Sequence, residues 1–334
     1  MKPVIFGLSG PTLTPDEIVL FRDADPLGYI LMGRNCVDRD QMRALTDSLR
    51  DLSGRGDLPI LIDQEGGRVV RMKPPVWPAF PAPSAFAALY DRAPSSAIAA
   101  ARANGHALGV MLAEVGVTVD ATPLLDVAQP DMTGAIGDRS FGADPMQVAA
   151  LGRATLEGLA TAGIVGIVKH MPGHGRATVD SHLELPRVSA PAAALEQDIA
   201  PFATLSSAPM AMTAHVVFEV WDADRPATLS PTVIRDVIRG RIGFDGLLMT
   251  DDIDMKALSG APEDKAAAAI AAGCDVVLDC WARLDEMTAI AERLDEIAPE
   301  SRARLDRAMA TIGTTSTVPI AELVEMRDRL LALA

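Results

Sequence analysis

The sequence predicts a (β/α)8 barrel, a single α/β domain spanning 1–334 with extra helices after the last strand. Three observations predict it. Short apolar runs rich in β-branched residues recur eight times, helical patterns separate them, and no Gly-rich dinucleotide fingerprint follows the first run. Near-continuous apolar strands alternating with helices call for a parallel sheet buried on both faces, and eight such units are the count that closes a barrel. An open doubly wound sheet is the alternative. Gly7-Leu8-Ser9-Gly10-Pro11-Thr12 weakens it, because the third glycine and a helix opening there are both missing.

The apolar runs are 4–7, 29–32, 59–62, 117–119, 164–168, 210–213, 247–250 and 275–278. Helical patterns between them cover 15–22, 39–52, 96–114, 145–162, 192–205, 231–241 and 264–272, with acidic or Pro starts and Gly after several ends. The stretch 74–83 holds five prolines and Trp77, which predicts a stiff irregular loop after the third strand. Patterns at 285–297, 302–312 and 320–333 are expected to be helices packed outside the barrel, with no second core.

Thirty Lys and Arg stand against forty-five Asp and Glu, a formal charge of −15, with no basic stripe. Such a field repels phosphodiester backbones and anionic membranes, so neither nucleic acid nor a membrane is expected as a partner. No apolar stretch reaches the ~20 residues of a spanning helix, and the apolar run at 4–8 is too short for the core of a signal peptide; a cytoplasmic protein is expected. Cys36, Cys274 and Cys280 lack CxxC spacing and read as reduced, small apolar residues, with no disulfide or Cys-zinc site.

Barrel chemistry sits where the strands end. The third run leads into Asp63-Gln64-Glu65-Gly66-Gly67-Arg68, the fourth toward Asp126, the fifth into Lys169-His170, the sixth into Ala214-His215, the seventh into Asp251-Asp252 and the eighth into Asp279. Any one of these is an ordinary cap or satisfied core group; together they are better explained as the rim of an active site. Four of the five histidines fall between 170 and 215, and the glycines and proline from Lys169 to His182 exclude a helix, which predicts a mobile loop carrying imidazoles over the mouth.

Two chemistries fit such a rim. A metal hydrolase would draw ligands from Asp180, His182, His170, His215 and Asp279, but no HExxH occurs and the first strand ends without histidine. Covalent acid/base catalysis needs a rigid carboxylate nucleophile and a proton donor that changes state near neutral pH. Asp251 and His182 suit those roles. Asp180 would orient the imidazole and keep its protonated form available.

With these segments assembled, the chain resembles the family-3 glycoside hydrolases, and among them the single-domain bacterial β-N-acetylhexosaminidases that recycle cell-wall muropeptides. The resemblance rests on Asp63 to Arg71, on Ala135-Ile136-Gly137-Asp138-Arg139-Ser140-Phe141, on Lys169-His170-Met171-Pro172-Gly173-His174-Gly175 through Asp180-Ser181-His182, on Met212-Thr213-Ala214-His215, and on Gly243 to Gly246 with Met249-Thr250-Asp251-Asp252. It implies Asp251 as nucleophile and His182 as general acid/base with Asp180 as its partner. It further implies Asp63, Arg71, Arg139, Lys169 and His170 as sugar-binding residues, with neither metal nor organic cofactor. The implied reaction is retaining removal of terminal N-acetylglucosamine from a small saccharide or muropeptide.

Alternatives are a β-glycoside phosphorylase or other β-glycosidase of the family, and a non-catalytic sugar sensor. Met171 replaces the Phe usual in the loop motif, and Asp279-Cys280-Trp281 departs from the usual asparagine-containing strand end. Asp252 is expected to be a supporting or helix-capping carboxylate. Trp281 is expected to be a helix residue packed outside the barrel, with stacking on a sugar or peptide at the mouth as the alternative. At 4% aromatic residues, a pocket for one terminal sugar fits better than a long polysaccharide groove.

Overall fold

The structure is a computed structural model that describes residues 1–310, 312–313 and 316–334. Its strands are β1 (Lys2–Gly7), β2 (Pro26–Leu31), β3 (Ile60–Ile62), β4 (Val119–Asp120), β5 (Val165–Met171), β6 (Arg187–Val188), β7 (Met210–Thr213), β8 (Val217–Phe218), β9 (Leu247–Asp252) and β10 (Val276–Asp279). Eight of them close a barrel in the order β1-β2-β3-β4-β5-β7-β9-β10, with β10 returning to β1 through Val4↔Val277, Ile5↔Leu278 and Phe6↔Asp279. Every pairing is parallel. The short β6 and β8 pair apart from the barrel.

Strand residues divide by parity, as the two-residue pleat requires. In β1, Ile5 points inward to a cluster with Ile30, Leu61, Val119, Ile167, Met210, Leu247 and Val276. Its neighbours Val4 and Phe6 point outward to the layer packed under the helices. Both faces are therefore apolar, and this is why each run lacks polar alternation.

The helices are α1 (Pro15–Ala24), α2 (Arg39–Ser53), α3 (Pro83–Tyr90), α4 (Pro94–Glu114), α5 (Pro145–Thr161), α6 (Ala192–Thr204), α7 (Pro262–Ala272), α8 (Leu284–Arg293), α9 (Pro299–Met309) and α10 (Ile320–Leu331), with a π-helical turn at Val233–Arg241. Local chemistry starts and stops them. Thr14 and Glu17 form a capping box at α1, Asp38 and Asp144 cap α2 and α5, and Gly54 ends α2 at φ 67°. Between α4 and α5 the backbones touch: a Cβ on Gly158 would lie 2.3 Å from the Arg102 carbonyl oxygen.

Three expectations need correction. Helix α3 was not anticipated, because Pro83 closes the proline-rich stretch yet also occupies the first turn, where proline is favourable. The fifth strand extends through Lys169, His170 and Met171, so these residues belong to the sheet and the loop starts later. Helix α9 does not lie outside the barrel. Its Leu305, Ala308 and Met309 join the inner apolar cluster. Thr311, inside the range expected for this helix, lies outside the described residues.

Asp275 fastens α9 to the barrel. Its Oδ2 accepts from the Leu248 N–H at 2.8 Å and Arg239 Nη2 at 2.7 Å, and its Oδ1 accepts from Ser301 Oγ at 2.5 Å and Arg304 Nη1 at 2.9 Å. All four lone-pair directions of a 3% exposed residue are thus used. Asp275→Ala would leave the buried Leu248 N–H unpaired and take from Arg239 and Arg304 the carboxylate they share, and we expect a loss of about 3 kcal/mol, read as a lower urea midpoint at unchanged m-value.

Candidate active site

The carboxyl ends of the strands surround a cavity of about 320 Å³. Its floor is a charged cluster. Asp63 and Glu65 follow β3, Lys169 comes from β5, and Arg71 and Arg139 reach in from the loops after β3 and β4. Lys169 Nζ lies 2.7 Å from Glu65 Oε1 and 3.2 Å from Asp63 Oδ1. Arg139 grips Glu65 with two parallel bonds of 2.8 Å, and Arg71 Nη2 donates to Asp63 Oδ2 at 2.9 Å. Burial alone would raise both carboxyls, but Lys169 with Arg71 holds Asp63 far below the ordinary carboxylate range, and Lys169 with Arg139 lowers Glu65. Burial disfavours the Lys169 ammonium, but Glu65 and Asp63 outweigh it and keep it charged.

Asp120, at the end of β4, behaves oppositely. Among the described residues its carboxyl accepts one bond, from the Gln64 N–H at 3.0 Å, and its Oδ2 has no partner. Burial pushes its pKa up to about 8. It is a neutral acid beside an ionised cluster.

Next to the floor stands a histidine layer. Asp126 is fully buried and accepts from His170 Nδ1 at 2.8 Å and from the His170 and His174 backbone N–H groups at 3.2 and 2.7 Å. Burial raises its carboxyl, but His170 and His174 outweigh this and bring it to about 2. As an ionised acceptor it fixes the Nδ1–H tautomer of His170, whose Nε2 is then 3.9 Å from Asp251 Oδ2. Asp251 is likewise held ionised: burial opposes the charge, but His170 and His215 outweigh it and lower its pKa. His215 is fully buried between Thr228 Oγ1 at 2.7 Å and the Asp252 carbonyl oxygen at 3.0 Å.

Only one imidazole of the loop faces water. His174 is 3% exposed, contacts Ser181 Oγ at 3.2 Å, and is pushed down to about 4 by burial and by His170. The expected display of several imidazoles over the mouth thus reduces to His182, whose side chain is 64% exposed. Asp180 Oδ1 accepts from His182 Nδ1 at 2.8 Å and from the His182 N–H at 2.9 Å. Slight burial raises Asp180, and the two bonds from His182 outweigh it, so the carboxyl is held below its usual range. The Ser181 carbonyl accepts from the Ala257 N–H at 3.2 Å, which ties this loop to the segment after β9.

The structure gathers Asp63, Arg71, Arg139, Lys169, His170, Asp180, His182 and Asp251 around the one cavity. It does not gather the metal-ligand set: among the described residues no three His, Cys, Asp or Glu side chains are placed to hold an ion. All three cysteines are free. Asp252 supports the rim, accepting from the Cys280 and Asp254 N–H groups at 3.3 and 3.2 Å. Trp281 corrects the expectation of a helix residue: it precedes α8, lines the cavity and is 55% exposed. Three supporting residues were missed as site members. Glu65 carried a signal, since it lies two residues after Asp63 in the same glycine-rich segment. Asp120 lies inside a buried strand and Arg34 joins the rim from the β2 side, and neither stands in any motif.

The family model for the glycosyl hydrolase family 3 N-terminal domain matches residues 23–314. A beta-hexosaminidase of Alkalilimnicola ehrlichii is 39% identical over 312 residues, 92% of this chain and 88% of that protein. NagZ from Neisseria gonorrhoeae, solved in complex with N-trifluoroacetyl-D-glucosamine, superposes with a TM-score of 0.88 at 30% identity, covering 100% of this chain and 98% of that one. A family 3 beta-N-acetylglucosaminidase from Paenibacillus sp. str. FPU-7 superposes with a TM-score of 0.87 at 30% identity, over 98% of this chain and 66% of that one. The chain belongs to glycosyl hydrolase family 3. It is a glycoside hydrolase similar to beta-hexosaminidases.

Asp120 supplies a test of the buried electrostatics. Its proton is kept in the folded chain up to about pH 8 but leaves the unfolded chain near the ordinary 3.8, so its contribution to stability falls as pH rises between those values. Asp120→Asn removes that dependence. Across this window the variant should gain on the parent by up to about 1 kcal/mol per pH unit, then run level above it. Urea midpoints from pH 5 to 9 check the slope; parallel curves would mean that Asp120 is ionised in the fold.

Proposed function

We propose that this chain is a retaining exo-β-N-acetylglucosaminidase that removes terminal N-acetylglucosamine from cell-wall muropeptide fragments, with the cytoplasm as its setting. One observation carries the reading: an ionised carboxylate, Asp251, and a carboxylate-oriented imidazole, His182, line one small cavity. The cavity is at the low end of ligand pockets, which run roughly 300–1,000 Å³. That size favours a single terminal sugar. The sugar bound in the Neisseria NagZ complex is an N-acylglucosamine analogue, which supports the choice of glycone.

The floor binds the sugar through its polarity. Each Asp63 oxygen is bonded to one cation and retains a lone pair for a hydroxyl, while Lys169, Arg71 and Arg139 supply donors around it and His170 presents Nε2, its other nitrogen being taken up by Asp126. In the first step Asp251 attacks the anomeric carbon as the bond to the leaving oxygen breaks, and that oxygen takes the proton from His182 Nε2. Asp180 accepts from Nδ1, so Nε2 is the nitrogen left free to transfer it. In the second step His182 takes a proton from water, the water oxygen bonds to the anomeric carbon, and the Asp251 ester is released as carboxylate. Two inversions give net retention.

A fluorinated N-acetylglucosaminyl fluoride, whose adduct hydrolyses slowly, should label Asp251, and peptide mass mapping reads the site. Label on Asp252 or Glu65 would reassign the nucleophile. Aryl β-N-acetylglucosaminide should be cleaved in preference to aryl β-glucoside; the reverse preference removes the muropeptide reading.

His182 is tested by leaving-group dependence. In single-turnover glycosylation, His182→Ala should slow poor leaving groups by about 10²–10⁴-fold and activated aryl groups much less. Asp180→Ala should show the same trend more mildly. Equal losses across leaving groups of widely different pKa would move the acid/base elsewhere.

A further inference from the structure

The tryptophan at the rim is held far more firmly than an exposed side chain requires. Trp281 Nε1–H donates to Asp252 Oδ2 at 2.9 Å, and its backbone N–H lies 3.4 Å from Asp279 Oδ1. Cys280, just before it, presents its carbonyl to Arg34 Nη2 and its N–H to Asp252 Oδ1. Ala282, just after it, has φ 57°, a left-handed conformation that costs a residue with a Cβ roughly 1 kcal/mol. The turn after β2 and strands β9 and β10 thus all contribute to fixing one indole whose ring remains 55% exposed.

Its position defines what the ring faces. Asp252 follows Asp251 directly, so the indole is anchored one residue from the attacking carboxylate. The groups that hold the terminal sugar, Asp63, Lys169 and Arg71, come from β3, β5 and the loop after β3, and they are charged and largely buried. The rim beside β10 instead offers an apolar ring open to solvent. A pyranose has a polar edge of hydroxyls and an apolar face of C–H groups, and an amphipathic ring with its N–H already satisfied is the matching surface for that face.

We propose that Trp281 is the platform on which the first sugar ring of the leaving group stacks, which makes it a specificity-determining residue for the leaving side of the cleaved bond. This rests on the glycosidase reading above. The ligand class is a saccharide that continues beyond the cleaved bond as a pyranose.

The test compares two substrates with the same glycone. N,N′-diacetylchitobiose has a leaving ring to stack; β-N-acetylglucosaminyl fluoride leaves as a single atom. For Trp281→Ala the ratio of kcat/KM, disaccharide over fluoride, should fall at least tenfold, mostly through KM for the disaccharide. Trp281→Phe, which keeps a ring but loses the anchor, should restore most of it. Equal losses on both substrates, or no loss on either, would overturn the proposal.

A binding measurement separates this from the function reading. Chitobiose titrated into Asp251→Ala should change the indole emission, and adding Trp281→Phe should abolish the change. If the parent enzyme cleaves neither substrate, the proposed function fails, and the titration still decides whether Trp281 meets the saccharide. A titration with no Trp281-dependent change overturns the platform.

Discussion

A lysine ammonium at the top of a parallel barrel must have carboxylates against it, because an isolated buried charge costs several kcal/mol even after relaxation. Lys169 has two such partners, and each of these in turn is held by an arginine. The cluster draws on β3, β5 and the loops after β3 and β4, so it spans neighbouring staves of the barrel wall. It also sets the electrostatics of everything beside it. Three cations against Asp63 and Glu65 leave one positive charge over, and Lys169 is among the groups that favour the ionised form of Asp251.

Around that cluster the carboxyl groups take different states according to their partners. Asp63, Glu65, Asp126 and Asp251 have cationic or N–H partners and are held ionised. Asp120 has one backbone bond and is neutral, and Asp252 is lifted to about 7 by burial and the nearby Asp279 and Asp251 charges. Residue type alone therefore says little about charge here. The charges of the floor are mutually paired and largely buried, whereas His182, bonded to Asp180, is exposed to solvent. That contrast suits the proposed reaction, in which the sugar is held by the floor and the proton exchanges with water.

The lower end of the barrel is closed by different means. Helix α9 inserts Leu305, Ala308 and Met309 into the inner cluster and is tied by Asp275 to β9 and to the arginines around it. Apolar plug below and charged floor above divide the barrel interior into an apolar part and a polar part that faces the cavity. Each strand serves both, with its inward apolar residues low and its polar residues at the carboxyl end.

The fold class and the polar strand ends were legible in the sequence because they depend on local order: apolar runs of strand length, helix starts with their caps, and a polar residue wherever a run stops. Asp63, Lys169, His170 and Asp251 could be placed at the rim on that basis alone, the histidine-bearing, glycine-rich loop added Asp180 and His182, and the family resemblance extended the list to Arg71 and Arg139. Protonation and contact were decided only by tertiary structure. His174 and His182 sit in one glycine-rich segment, yet one is buried against Ser181 and the other faces solvent. Asp120 looks like any strand aspartate until the Gln64 N–H proves to be the one donor to its side chain among the described residues, and Trp281 looks like a helix residue until Asp252, 29 positions away in the chain, is brought to accept from its indole N–H. Burial and pairing are set by residues distant in the chain, so they exist only once the barrel has closed.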